Sequence, residues 1–181
     1  MIVEIGHFAL ILALMVACVQ TGSVVWGTWK HDEAVKTLSS TAAVTQFVLL
    51  ALAFATLVYA YISSDFEIKN VWTNSHSAKP LIYKISAVWG NHEGSILLWV
   101  LILAAFGAAI ALFGNNLPGR LKYDVLAVQG SIGIAFLLFT IITSNPFIRE
   151  APFLAEGQGL NSILQDPALA IHPPLLYVGY V

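Results

Sequence analysis

Two short stretches of this chain hold the side chains most able to do chemistry. The first is "LQDPALAIHPPLLYVGYV", Leu164 to Val181, in which His172 stands directly before Pro173 and Pro174. A residue before proline is turned away from helical angles, whereas proline itself suits the first turn of a helix. The pattern therefore predicts a helix starting at Pro173 or Pro174, with His172 just outside it. There the positive end of the helix dipole disfavours imidazolium and favours the neutral ring, the form a metal needs as ligand. A histidine that merely caps a helix at the membrane interface needs the same geometry, so the residues alone leave both readings open. "LQDP", Leu164 to Pro167, offers a further turn or helix start upstream.

The second stretch is "VWGNHEGSILLW", Val88 to Trp99. If it is helical, Trp89, His92, Ile96 and Trp99 share one face, at the spacing of successive helical turns. Such a surface, aromatic with one imidazole, could receive a flat ligand such as haem. Gly90 and Gly94 weaken the helical assumption, and Ser95 could instead cap a helix that begins there. An aromatic belt beside a solvated His-Glu pair is the alternative.

The remaining histidines are poorer candidates. His7 lies one turn into an apolar run, and His31 and His76 sit in polar contexts, so each is read as structural or solvated. Cys18 lies within an apolar run and reads as a small buried hydrophobe, leaving no disulfide framework or thiolate metal site. "GNNLPGR", Gly114 to Arg120, has the composition of a turn rather than a nucleotide loop.

The elements that must position these residues follow from composition. The 181 residues are 58% hydrophobic and only 10% charged, against roughly 25% charged in soluble domains. A net charge of −2 supplies no basic patch for nucleic acid. Crossing a bilayer takes about 20 apolar helical residues. Four runs qualify, at about 5–26, 41–62, 95–113 and 125–143, and none contains Asp, Glu, Lys or Arg. A fifth starts at 173. The expectation is an all-α, polytopic membrane helix bundle of four full spans plus the start of a fifth. The absence of Asp, Glu, Lys and Arg inside the runs argues against a proton pathway here. Chemistry belongs at the membrane surface, in two longer connections at about 63–94 and 144–172, which an even number of spans places on the same side. Basic residues tie at four on each side, Lys30, Lys36, Arg120 and Lys122 against Lys69, Lys79, Lys84 and Arg149. They are denser in the short connections, which puts those in the cytoplasm and the longer ones outside.

Four motifs in order, "EIGHFAL" (Glu4 to Leu10), "WGNHEGSILLW" (Trp89 to Trp99), "TSNPF" (Thr143 to Phe147) and "LQDPALAIHPPLLYVGYV", resemble the CcmF family along the whole chain. These are membrane proteins of cytochrome c biogenesis, in a haem-handling superfamily named for a tryptophan-rich WWD segment. The resemblance implies a component of the cytochrome c haem lyase in the bacterial inner membrane, or the mitochondrial one, with the long loops facing the periplasm or intermembrane space. It implies a haem b cofactor, a haem chaperone partner (CcmE), a CcmH-type subunit that presents apocytochrome c, and thioether attachment at Cys-x-x-Cys-His thiols. The family's "HPP" histidine is an axial ligand of the incoming haem iron, and it falls on His172. Trp89, His92 and Trp99 match a family motif without carrying an assigned ligand role. The WWD segment, a second external haem histidine and the pair that holds a structural haem lie outside these residues. Gly159 and Ser162 depart from the family pattern, where an Asp and a Pro are expected.

The run from Pro173 to Val181 is under half a span, so the chain is expected to be an N-terminal fragment, a partial reading frame or one product of a split gene. One histidine cannot supply both axial ligands, so such a piece is catalytically incomplete alone. The paralogue dedicated to nitrite-reductase haem attachment fits the same residues. Two other classes remain: a transporter subunit exporting haem or another solute, and a non-catalytic assembly scaffold.

Overall fold

The computed structural model describes residues 1–149, 156–159 and 165–181. Asp32 explains its first helical hairpin. Its carboxylate accepts hydrogen bonds from the Ala34 and Val35 amides, at 3.0 and 3.3 Å, and so starts α2 (Glu33–Ser63). The preceding residue, His31, takes a left-handed conformation (φ 55°) that closes α1 (Ile2–Lys30). The connection expected over Gly27 to Ser40 thus shrinks to two residues. Polar side chains such as Lys36 and Ser39 are tolerated in the helix that extends beyond the apolar run. Gly27 permits the close approach: a Cβ there would lie 2.8 Å from the Asp32 carbonyl oxygen.

Two short helices, α3 (Lys69–Asn74) and α4 (Leu81–Ala87), occupy the first long connection. The third apolar run becomes α5 (His92–Phe113) and the fourth α6 (Gly119–Ile142). The last helix is α7 (Pro167–Tyr180). The fold class is all-α as expected, and four helices are long and apolar enough to cross a membrane. Among the described residues the β-pairing is confined to an antiparallel bridge between Ile68 and Arg149.

The four long helices form a ring in the order α1, α2, α5, α6, with α2 also touching α6 across it. Small residues line the contacts: Ala9, Ala13 and Ala17 of α1 and Ala53 and Ala60 of α2 are buried. This is how membrane helices approach closely where lipid offers no hydrophobic drive. Large apolar side chains such as Phe8, Met15, Val48 and Val128 point outward, as lipid-facing residues would.

Three glutamines, which the charge-free reading of the runs passed over, are buried in this bundle. Gln20 Nε2 donates to the Leu126 carbonyl (2.8 Å) and to Gln129 Oε1 (2.5 Å), and Gln129 Nε2 donates to the Leu103 carbonyl (2.9 Å). The amides therefore tie α1, α6 and α5 together. Gln46 is different, because neither of its buried amide atoms has a partner among the described residues.

The two longer connections are stitched to each other. Lys69 N donates to the Ile148 carbonyl (3.0 Å), Gln158 N to Trp72 (2.8 Å) and Gly159 N to Ser75 (3.0 Å). The Arg149 guanidinium bridges Glu4 and Glu67. Ser162, one of the two departures from the family pattern, lies outside the described residues.

Candidate functional site

The site is assembled around one turn, residues 87–91, and the two helices that meet it. Asn91, rather than Ser95, caps α5: its Oδ1 accepts from the Gly94 amide at 2.9 Å. Trp89 therefore precedes the helix instead of sharing its face with His92. The carbonyl of Val88 rests directly on Gly94, where a Cβ would lie only 1.6 Å from that oxygen. Ser95 serves a different purpose. Its hydroxyl donates to the Trp89 carbonyl at 2.7 Å, which locks the turn onto the first turns of α5.

The start of α7 also differs from the expectation. Asp166 is the cap, its carboxylate accepting from Ala168 N (2.8 Å) and Leu169 N (3.2 Å), and Pro167 takes the first helical position. The helix then runs through Pro173 and Pro174, and His172 is an internal residue of it. His172 is therefore outside the field of the helix N-terminus expected to favour its neutral ring, since that field fades beyond the first turn. A proline inside a helix leaves the carbonyl four residues back without its N–H partner. For Pro174 that carbonyl belongs to Ala170, and the Trp89 indole Nε1 donates to it at 2.7 Å. A second tie lies one helical stretch further, where the Tyr177 hydroxyl donates to Ser95 Oγ at 3.0 Å. Helix α7 is thus held at two points, both on residues of the Trp89 turn and the start of α5.

Between these elements opens a cleft of about 570 Å³, mostly apolar, lined by Trp89, His92, Ser95, Ile96 and Trp99, with Phe136 of α6 and Pro173, Tyr177 and Tyr180 of α7. The volume is that of a small-molecule site. Trp99 packs against Phe136 with ring centroids 4.1 Å apart, and His92 meets Phe139 edge-on at 6.2 Å. Trp89, His92 and Trp99 are therefore brought together, Trp89 from the turn and the other two from α5.

His172 is not in that cleft. Pro173, Tyr177 and Tyr180 recur at helical spacing along the row that faces it, and one residue is about 100° of helical rotation. His172 accordingly leaves α7 on the flank and is exposed. Leu169 and Leu176, one turn to either side of it, and Leu175 are exposed as well.

The other histidines have structural partners. His7 Nε2 lies 3.1 Å from Asn145 Nδ2, and its ring stacks on Phe147. His31 ends α1, and His76 Nδ1 accepts from the Ala78 amide at 3.2 Å. Among the described residues no group of three or more His, Cys, Asp or Glu could hold a metal ion.

Sequence reasoning missed the supports of the turn. Tyr61, fully buried near the end of α2, and Asn70 of α3 both reach Asn91. One signal was available, since an Asn directly before a helix start is a favoured cap. The partners of that Asn were not readable, because they are 21 and 30 residues away in the chain.

The chain resembles known proteins along its full length. Residues 89–181 match the family described as "Cytochrome C assembly protein". The cytochrome c-type biogenesis protein CycK of Rhizobium meliloti (strain 1021) is 58% identical over all of this chain, which spans 27% of that protein. The cytochrome c-type biogenesis protein ccl1 of Rhodobacter capsulatus is 59% identical, again over all of this chain and 28% of its own length. A solved structure described as "Cytochrome c Heme Lyase CcmF" matches the fold with a TM-score of 0.83 at 22% identity, over 99% of this chain and 28% of that one. The chain thus spans a little over a quarter of the proteins it matches. It belongs to the cytochrome c assembly protein family, among the CcmF/CycK proteins of cytochrome c biogenesis.

Proposed function

We propose that this chain is the haem-receiving part of a cytochrome c haem lyase, with His172 as one axial ligand of the incoming haem iron. The observation that carries the reading is the placement of His172. Its imidazole is exposed on the flank of a helix anchored at Ala170 and Tyr177, beside an aromatic cleft lined by Trp89 and Trp99. An exposed imidazole on a fixed helix fits a metalloporphyrin. The exposed leucines next to it fit the apolar macrocycle, and the cleft can take an edge or substituent of it.

In this reading haem is substrate, handed over by a chaperone of the CcmE kind, while a CcmH-type subunit presents apocytochrome c. Haem supplies the vinyl carbons to which cysteine thiols add, and that bond chemistry belongs to the cofactor and the thiols. The chain's residues bind and orient: His172 holds the iron from one side, and the helix fixes the direction from which the thiols approach. The second axial ligand and the tryptophan-rich segment come from outside these residues. The long connections face the periplasm in a bacterial inner membrane, in keeping with the denser basic residues of the short ones.

The test is His172→Ala in the assembled lyase, in a host lacking its own copy. Holocytochrome c, read by haem staining and pyridine haemochrome absorbance, should fall to the level of the lyase-deficient host, with the variant still inserted in the membrane. Normal holocytochrome c in that strain would remove His172 from the ligand set.

A further inference from the structure

Beneath the turn that carries Trp89 lies a closed ring of three side chains from three elements. The Tyr61 hydroxyl donates to Asn70 Oδ1 (2.5 Å), Asn70 Nδ2 donates to Asn91 Oδ1 (2.9 Å), and Asn91 Nδ2 donates to the Tyr61 oxygen (3.0 Å). Each member both donates and accepts one hydrogen bond within the ring. Hydrogen bonds arranged in this way polarise one another, and a buried network that is fully satisfied rigidifies its surroundings. Tyr61 is fully buried and Asn70 is 6% exposed, which shields the bond between them from water, while Asn91 is half-buried at the edge of the cleft.

The ring does more than cap a helix. Capping α5 needs only the Asn91 oxygen and the Gly94 amide, which a serine would also supply. The Asn91 nitrogen, in addition, reaches the Ala87 carbonyl at 2.7 Å, so the ring also ties down the end of α4 and the whole 87–91 turn. That turn carries the Trp89 indole bound to Ala170 and the Trp89 carbonyl bound to Ser95, the residue on which Tyr177 rests. His172 lies between those two anchor points of α7. Hydrogen bonds joined through the backbone of the 87–91 turn therefore connect the end of the long helix α2 to the helix that bears the candidate ligand.

We infer that Tyr61, Asn70 and Asn91 are positioning residues: their ring sets the turn that docks α7, and so sets where His172 points. The inference rests on the reading of His172 as a haem ligand, but its structural half can be tested without haem. Tyr61→Phe removes one oxygen and keeps the ring volume. Asn91→Ser keeps a cap for α5 and cannot span to Tyr61.

The full chain, reconstituted in lipid nanodiscs, is to be followed by amide hydrogen exchange, and ferric haem is then titrated into the same samples and read by its Soret band. Both variants should exchange about tenfold faster in α7 and in residues 88–95 only, as a local opening does, and both should weaken the His172-dependent Soret shift. Acceleration spread over α1, α2 and α6 would mean that the ring is general packing, and the positioning role would be overturned. Unchanged exchange in α7 would overturn it as well. If α7 loosens as expected while neither the ring variants nor His172→Ala alters the Soret band, the clasp stands and the haem-ligand reading falls.

Discussion

Gly94→Ala tests the construction of the site most sharply, because the added atom has nowhere to go. Its Cβ would lie 1.6 Å from the Val88 oxygen and 2.8 Å from the Val88 carbonyl carbon, and both belong to backbone. A carbon and a carbonyl oxygen settle at about 3.3 Å, so the turn must open by about 1.7 Å. Opening by that much breaks the Asn91 Nδ2 bond to Val88 and pulls Asn91 from the Gly94 amide. A lost cap costs about 1 kcal/mol, a buried hydrogen bond about 1 kcal/mol, and forced overpacking 1–3 kcal/mol. Alanine recovers about 1 kcal/mol over glycine within a helix. The net expectation is a loss of about 3 kcal/mol, roughly a hundredfold in the folded-to-unfolded ratio. The assay is reversible unfolding of the purified chain in mixed detergent–SDS micelles, followed by tryptophan fluorescence. Gly22→Ala is the matched control, since no atom lies within 4 Å of a Cβ there, and it should gain about 0.5–1 kcal/mol. A Gly94→Ala protein within about 0.5 kcal/mol of the parent, below the cost of even one lost cap, would refute the close packing of the turn on α5.

Two further outcomes follow from the polar groups. Gln46→Met should leave stability unchanged or raise it by about 1 kcal/mol, because it removes two buried atoms that find no hydrogen-bond partner among the described residues. Gln129→Met should lower it by about 1 kcal/mol, since Gln20 and the Leu103 carbonyl each lose a partner. The same unfolding assay checks both, and the reverse order would contradict the amide assignments. Glu156 joins the two long connections, and its carboxyl is held down at about 2 by the Ser77 hydroxyl, with the Ser77 and Gly157 amides adding to it. A depressed carboxylate stabilises fully above its ordinary value of 4.5 and loses that contribution as pH falls towards about 2. Protease sensitivity of the connection around Ser77 should rise across that interval, and Glu156→Gln should flatten the response. A parent profile that stays flat over the same interval would contradict the Ser77–Glu156 tie.

The long helices were legible in the sequence because membrane burial leaves a mark on consecutive residues. Twenty apolar positions in a row have few other uses, so four long apolar helices could be read from the runs at 5–26, 41–62, 95–113 and 125–143, though not the polar ends that lengthen α1 and α2. The short helices α3 and α4 were not legible, since six or seven mixed residues carry no period long enough to read. The residue types that line the cleft were legible too: Trp89, His92 and Trp99 stood out by kind and context, as did His172 outside it.

Their arrangement was not. Local rules placed a helix start after His172, and tertiary contact decided otherwise, because the Trp89 indole fills the carbonyl that Pro174 strands and so lets α7 run through both prolines from Asp166. Local rules also set Ser95 at the head of α5, whereas Tyr61 and Asn70 favour Asn91 there. Periodicity and capping report what one segment prefers alone. Which carbonyl is left open, and which side chain from 81 residues away closes it, is decided only when the segments pack.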